Sequence, residues 1–143
     1  MSPLPQSIRL EIVTPEQRLV NEVVDEVVLP GSEGSLGVLP GHTPLLTSLG
    51  IGQIMFRRGT ERRYLTAAGG FAEVLPDRVS VLAEIAERAE EIDPERARKS
   101  LDRAMQRLRG READTDFRRA QEALRKALLR LQVGQRGGPD SPP

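Results

Sequence analysis

The spacing of apolar residues changes once along the chain, near Glu84, and no other feature of the sequence constrains the fold as strongly. Before this point apolar and polar side chains alternate in short segments separated by Gly and Pro, which indicates strands of a sandwich or barrel. After it, apolar residues recur every three or four positions, as on one face of a helix. We therefore predict an α+β chain, with an N-terminal all-β sandwich of about ten short strands followed by a C-terminal antiparallel two-helix hairpin.

The predicted strands are bounded by turn-forming residues. Ile8, Leu10 and Ile12 mark the first, and the others cover residues 23–29, 45–49, 53–58, 63–67, 70–75 and 78–83. Pro76 and Asp77 predict a tight hairpin turn, because Pro fixes φ at the second turn position and Asp suits the third. Phe71 and Leu82, together with three valines, are expected to supply the apolar bulk that flanks this turn.

The helical half contains two start signals. Asp93 is the expected N-cap of the first helix, with Pro94 at its first position and Gly110 at its end. The second start is at residues 114–116, and its pattern stops at Gly134. The predicted domains are residues 1–86 for the sandwich, 87–134 for the linker and hairpin, and 135–143 for a disordered tail. Because alanine fills much of both apolar stripes, the hairpin is expected to need another surface for stability.

The amino-acid composition excludes several kinds of catalytic and metal site. The chain has no Cys and a single His, which excludes thiolate chemistry, zinc fingers and sites that need two histidines. His42 has no nucleophile with a partnered base beside it, so a turn or interface role is favoured over catalysis. Residues 1–86 carry seven Arg against ten acids, whereas residues 87–136 carry fourteen Arg and Lys against ten acids. The basic half is expected to meet an acidic protein, and nucleic acid is disfavoured because Phe117 is the only aromatic residue among its cations.

Residues 34–46, GSLGVLPGHTPLL, combine turn residues with many apolar side chains. Loops that carry apolar side chains usually present them to a partner. We expect a docking surface here, formed by Leu36, Leu39, Pro40, His42 and Leu45.

This segment and a second one, residues 68–74 with the sequence AGGFAEV, resemble the epsilon subunit of bacterial F-type ATP synthases, and the resemblance extends over residues 7–134. It implies a sandwich of two five-stranded sheets that grips the gamma subunit and touches the ring of c subunits. It also implies a regulatory arm, which permits ATP hydrolysis when folded against the sandwich and blocks rotation when extended along gamma. The chain would then be a non-catalytic central-stalk subunit of a rotary proton-translocating ATP synthase. It would require no cofactor and lie peripherally at the cytoplasmic face of the cell membrane.

Residues 92–97, IDPERA, resemble the Ile-Asp-x-x-Arg-Ala nucleotide motif of some bacterial epsilon subunits. The resemblance implies a regulatory MgATP site, whose candidate residues are Glu87, Ile92, Asp93, Arg96, Ala97, Arg103, Lys126 and Arg130. Lys126 stands where arginine is usual and offers a point charge rather than a two-pronged fork. The acidic partner implied for the hairpin is a carboxylate-rich loop of the beta subunit, with Arg118, Arg119 and Arg125 as the candidate contacts.

One alternative comes from another class of protein. A sandwich carrying a basic hairpin also fits a free-standing adaptor whose hairpin binds nucleic acid or a coiled coil. Neighbouring genes for the gamma and beta subunits would favour the synthase over the adaptor.

Overall fold

The computed structural model describes residues 4–110 and 117–136. Its elements are eight strands, a 3₁₀ turn at Ala89–Glu91 and two helices. The strands are β1 (Ile8–Val13), β2 (Arg18–Val24), β3 (Glu26–Gly31), β4 (Gly34–Val38), β5 (Leu45–Ser48), β6 (Ile51–Arg58), β7 (Glu61–Leu75) and β8 (Arg78–Arg88), and the helices are α1 (Pro94–Arg109) and α2 (Phe117–Gly134). A sandwich followed by two helices confirms the predicted fold class.

Two long strands, β7 and β8, are shared by both layers of the sandwich. Residues 71–74 of β7 pair with β5 and residues 78–82 of β8 pair with β1, whose other neighbour is β2. Residues 61–68 of β7 pair with β6, which continues through β3 to β4. Different parts of β7 and β8 belong to the two layers. The strand order is β2-β1-β8-β7-β5 in the first layer and β8-β7-β6-β3-β4 in the second, so each layer has five strands.

β7 bends between these layers at Gly69 and Gly70. Both have positive φ, 74° and 107°, which side-chain-bearing residues rarely adopt. A Cβ added to Gly70 would lie 2.0 Å from the carbonyl oxygen of Leu82 on β8. The glycines had indicated a break between strands 63–67 and 70–75, and this is corrected: pairing with β8 holds the same register on both sides of the bend.

The core lies between the layers and is almost entirely aliphatic. Its fully buried larger side chains are Ile8, Leu10, Ile12, Val24, Val27, Leu29, Val38, Ile54, Leu65, Val74, Val79 and Val81. Thr66 is the buried polar residue of the described chain, and its hydroxyl oxygen accepts a hydrogen bond from the Glu87 backbone N–H at 3.2 Å. The strand that presents Glu87 is therefore anchored to the core of the sandwich.

Two strand predictions are corrected. Residues 23–29 are not one strand, because the chain turns at Asp25: its backbone N–H donates to the Arg57 carbonyl at 2.8 Å and its carboxylate accepts from the Gly59 N–H at 2.7 Å. Residues 34–46 are not mainly a loop, since they contain β4 and the start of β5. The hairpin turn at Pro76 and Asp77 is confirmed, with Leu75 opposite Arg78.

Helix α1 begins and ends at the predicted positions, and α2 ends at the predicted position. The Asp93 carboxylate caps α1 by accepting from the backbone N–H groups of Glu95 at 2.9 Å and Arg96 at 3.4 Å. Gly110 is the C-cap of α1 and α2 ends at Gly134, as predicted, whereas the predicted second start at residues 114–116 lies outside the described residues. Most of the predicted tail also lies outside them. The helices pack through buried alanines, Ala97, Ala104, Ala120 and Ala127, so their backbones approach closely.

Candidate functional site

The open end of the hairpin, where α1 begins and α2 ends, contacts the sandwich. Val133 of α2 is fully buried in a cluster with Tyr64, Ala89, Ile92 and Ala97. Met55, Leu129 and Leu131 are partly buried against the same cluster. Burying a valine side chain contributes roughly 1.5–3 kcal/mol, so this contact is small compared with the core of the sandwich. The arrangement gives the hairpin one localised attachment, which we call the base contact.

Two arginines of the C-terminal segment extend the base contact. The Arg130 guanidinium donates to both carboxylate oxygens of Glu87, with Nε to Oε1 at 2.8 Å and Nη2 to Oε2 at 3.3 Å. The two side chains are 26% and 34% exposed, so the ion pair is only partly screened by water. The Arg136 guanidinium lies 5.0 Å from the centre of the Tyr64 ring, in a cation–π contact.

The chain between β8 and α1 is held by Arg88. Its guanidinium donates to the Leu19 carbonyl oxygen through Nε at 3.0 Å and Nη2 at 2.7 Å, and it also pairs with Glu91. Leu19 belongs to β2, so Arg88 ties the linker to the edge strand of the first layer. The backbone of Glu87, one residue earlier, is therefore held by its own hydrogen bond to Thr66 and by the contacts of Arg88.

The eight residues predicted for nucleotide binding fall into two groups. Ile92 and Ala97 are buried in the base contact, Asp93 caps α1, and Glu87 pairs with Arg130. Arg96 and Arg103 are exposed on α1, where the Arg103 guanidinium donates to the Ser100 hydroxyl at 3.3 Å, and Lys126 is half-buried on α2. The sequence did not indicate that two of the eight residues, Glu87 and Arg130, bind each other.

The predicted acidic-loop contacts, Arg118, Arg119 and Arg125, are all exposed on α2. The guanidinium groups of all three are exposed to water and are therefore available to a carboxylate of another protein. Their role in binding a partner stays a prediction.

The predicted docking residues lie around the turn between β4 and β5. Leu39 is 56% exposed and Leu45 is 39% exposed, whereas Leu36 is half-buried and packs against the core. The Gly41 N–H donates to the Pro76 carbonyl at 2.7 Å, which fixes the turn to the β7–β8 hairpin. His42 is half-buried, and its Nδ1 lies 2.6 Å from the Thr43 carbonyl oxygen. Pro40 is half-buried in the same turn.

The sequence analysis missed an apolar face on the outside of the first layer. Phe71 and Leu82 are cross-strand partners that are each 57% exposed, and Val13 of β1 lies beside Leu82 in register. Both side chains had been expected to flank the hairpin turn, and they lie on its two strands, but on the outer surface: Ala72 and Val74 face the core, so Phe71 points outward. Glu73 is charged and lies two residues from Phe71, on the same face of the strand, which was the sequence signal that this face points to solvent. We call Val13, Phe71 and Leu82 the outer apolar row.

Within residues 4–110 and 117–136, no three His, Asp or Glu side chains are arranged to hold a metal ion. No helix of the described chain is long and apolar enough to cross a membrane.

Comparison with known proteins gives matches to both halves. Residues 7–89 match the family described as ATP synthase, Delta/Epsilon chain, beta-sandwich domain, and residues 90–135 match the long alpha-helix domain of the same chain. The two matches meet inside the 3₁₀ turn, which begins one residue after β8 ends.

Relatives match over nearly their whole length. The ATP synthase epsilon chain 2 of Syntrophotalea carbinolica is 48% identical over 134 residues, which is 93% of this chain and 97% of the relative. The ATP synthase epsilon chain of Nitratidesulfovibrio vulgaris is 49% identical over 128 residues, or 90% of this chain and 96% of the relative.

Solved structures of the same kind share the fold. A chain of the Euglena gracilis mitochondrial ATP synthase, OSCP/F1/c-ring in rotational state 1, superposes with a TM-score of 0.78 at 25% identity, covering 90% of this chain and 81% of that one. A chain of the Tetrahymena thermophila mitochondrial ATP synthase central stalk/c-ring has a TM-score of 0.59 at 17% identity, covering 92% and 99%, and supports the fold alone.

Proposed function

The chain belongs to the ATP synthase delta/epsilon chain family, and on that premise we propose that its sandwich joins the central stalk to the membrane ring while its hairpin restrains ATP hydrolysis as a movable arm. It is a non-catalytic subunit of the ATP synthase complex. The observation that carries the proposal is the match of both halves, in order, to one family. The free-standing adaptor is not supported, because the hairpin itself matches the same family as the sandwich.

The sandwich would bind the gamma subunit and the c-subunit ring. Exposed apolar side chains on a well-packed module are the physical basis for stable docking, and two such groups are available. One is the turn carrying Leu39 and Leu45, and the other is the outer apolar row. Through the complex the chain would lie at the cytoplasmic face of the cell membrane, without crossing it.

The hairpin would act through its position. Among the described residues, its main attachment to the sandwich is the base contact, so few interactions oppose a change from a folded to an extended arm. In the extended arm, Arg118, Arg119 and Arg125 would contact the carboxylate-rich loop of the beta subunit. In the folded arm, they are exposed.

MgATP would be a regulatory ligand of the hairpin rather than a required cofactor. Arg96, Arg103, Lys126 and Arg130 supply four cations along the two packed helices, which suits a triphosphate. Calorimetric titration of the isolated chain with MgATP tests this ligand.

The proposed function is tested by assembling the enzyme with the full chain and with a chain that ends at Glu91. We expect the shortened chain to co-purify with the stalk and to give higher ATPase activity, because the inhibitory element is removed and the sandwich keeps its core. Circular dichroism of the shortened chain is the control for folding. Loss of co-purification, or unchanged ATPase activity, would contradict the proposed division of roles.

A further inference from the structure

The ion pair between Glu87 and Arg130 joins a rigid element to the arm. Glu87 lies on β8 opposite Thr66, and its backbone N–H is bonded to the Thr66 hydroxyl inside the core. Arg130 lies on α2, three residues before the fully buried Val133, so both side chains point to the same face of the helix. The pair therefore crosses from the sandwich to the arm at the base contact.

A carboxylate and a phosphate present the same acceptors to a guanidinium. Arginine binds either of them through two parallel N–H groups, and Glu87 already takes both Nε and Nη2 of Arg130. The Nε and Nη2 donors of Arg130 are thus already bonded to a carboxylate of the chain itself. No phosphate is needed to neutralise this arginine in the folded arm.

The surroundings of Glu87 also favour a protein carboxylate over a phosphate. A cavity of about 420 Å³ beside it is lined by Glu16, Glu84 and Glu91 in addition to Glu87. An anionic ligand that approaches Glu87 through this cavity would meet the carboxylates of Glu16 and Glu84, whose like charges raise the energy of a bound triphosphate. Arg96 and Arg103, by contrast, are exposed on α1.

We propose that the Glu87–Arg130 ion pair is an internal latch: the Glu87 carboxylate occupies the position of a phosphate on Arg130 and holds the arm folded without nucleotide. The inference rests on the proposed role of the hairpin as a regulatory arm and specifies how its folded position is maintained. A ligand that uses the Nε and Nη2 donors of Arg130 has to displace Glu87 first. Nucleotide binding would then shift the equilibrium of an arm that already favours the folded position.

The test is hydrogen exchange of the nucleotide-free isolated full chain, comparing wild type with Glu87→Gln and Glu95→Gln. Glu95 pairs with Arg98 at 3.5 Å within α1, and both side chains are more than half exposed, so its variant removes the same charge without touching the base contact. We expect exchange at residues 126–134 to be about five-fold faster in Glu87→Gln and unchanged in Glu95→Gln. Amides of β1 and β6 report the sandwich in the same samples.

The charge-swapped double variant Glu87→Arg with Arg130→Glu gives the second measurement. We expect it to return exchange at residues 126–134 to within two-fold of wild type, because the same ion pair is rebuilt with reversed polarity. The latch is overturned if Glu87→Gln behaves like Glu95→Gln, or if the swap stays fast while β1 and β6 remain protected. Loss of protection throughout the sandwich in both Glu87 variants would also overturn it. Because no other subunit is present, none of these results bears on ATPase inhibition.

Discussion

Gly70 allows β7 to pass from one layer of the sandwich to the other. Two separate constraints meet at this residue, a φ of 107° and a backbone contact with β8 that leaves no room for a side chain. Gly59 shares only the first constraint, because its φ is 63° and nothing lies within 4 Å of an added Cβ. Substitution at Gly59 therefore measures the cost of the positive φ alone, and substitution at Gly70 measures that cost together with the steric clash.

We predict that Gly70→Ala lowers the free energy of unfolding by roughly 3 kcal/mol or more, whereas Gly59→Ala lowers it by about 1 kcal/mol. Urea denaturation of the isolated chain, followed by circular dichroism, measures both. Equal losses would mean that β8 moves to accommodate the methyl group, and that the bend depends on φ alone.

At the scale of elements, the helix ends were predictable and the long-range contacts were not. Asp93, Pro94 and Gly110 act within a few residues of their own position, so local sequence indicates their roles. The pair of Glu87 and Arg130 joins residues 43 apart, and only the packing of α2 on the sandwich brings them together. Strand β4 was missed for a related reason: its glycines indicate a loop, but pairing with β3 overrides that local preference.

The next prediction concerns the charge on α2. Changing Arg118, Arg119 and Arg125 together to Ala should raise the ATPase activity of the assembled enzyme while assembly stays intact. The matched control is Lys99, Arg107 and Arg109 to Ala, which removes three exposed cations from α1. Inhibition by the wild-type chain should also weaken with rising salt, because exposed charges are screened beyond about 10 Å at 0.1 M. Equal activation by the two triple variants would assign the effect to net charge rather than to this face of α2.

On the scale of the whole molecule, the surfaces for docking and for regulation are separate. The outer apolar row belongs to the first layer, whereas Met55 and Tyr64, which contact the arm, belong to β6 and β7 in the second layer. The order of sandwich and helices was visible in the change of apolar spacing at Glu84. Which face of each strand points outward required the pairing register, so the sequence placed Phe71 beside the hairpin turn without indicating that it faces solvent.

We predict that Phe71→Asp and Leu39→Asp each weaken assembly with the stalk about ten-fold or more, because a charge would enter an apolar contact. Both residues are more than half exposed, so the melting temperature of the isolated chain should stay within a few degrees of wild type. Thr60→Asp adds the same charge to an exposed turn and should change neither quantity. Normal assembly of both apolar variants would exclude these surfaces as the stalk contact.

The base contact also makes the far end of the arm sensitive to small rotations. Helix α1 has 16 residues and is therefore roughly 24 Å long, and Ala97 in its first turn is buried in the base contact. A rotation of about 30° at that end would move the Arg109 end by roughly 12 Å. A rotation at the base contact is thus amplified into a displacement about as large as the width of a helix.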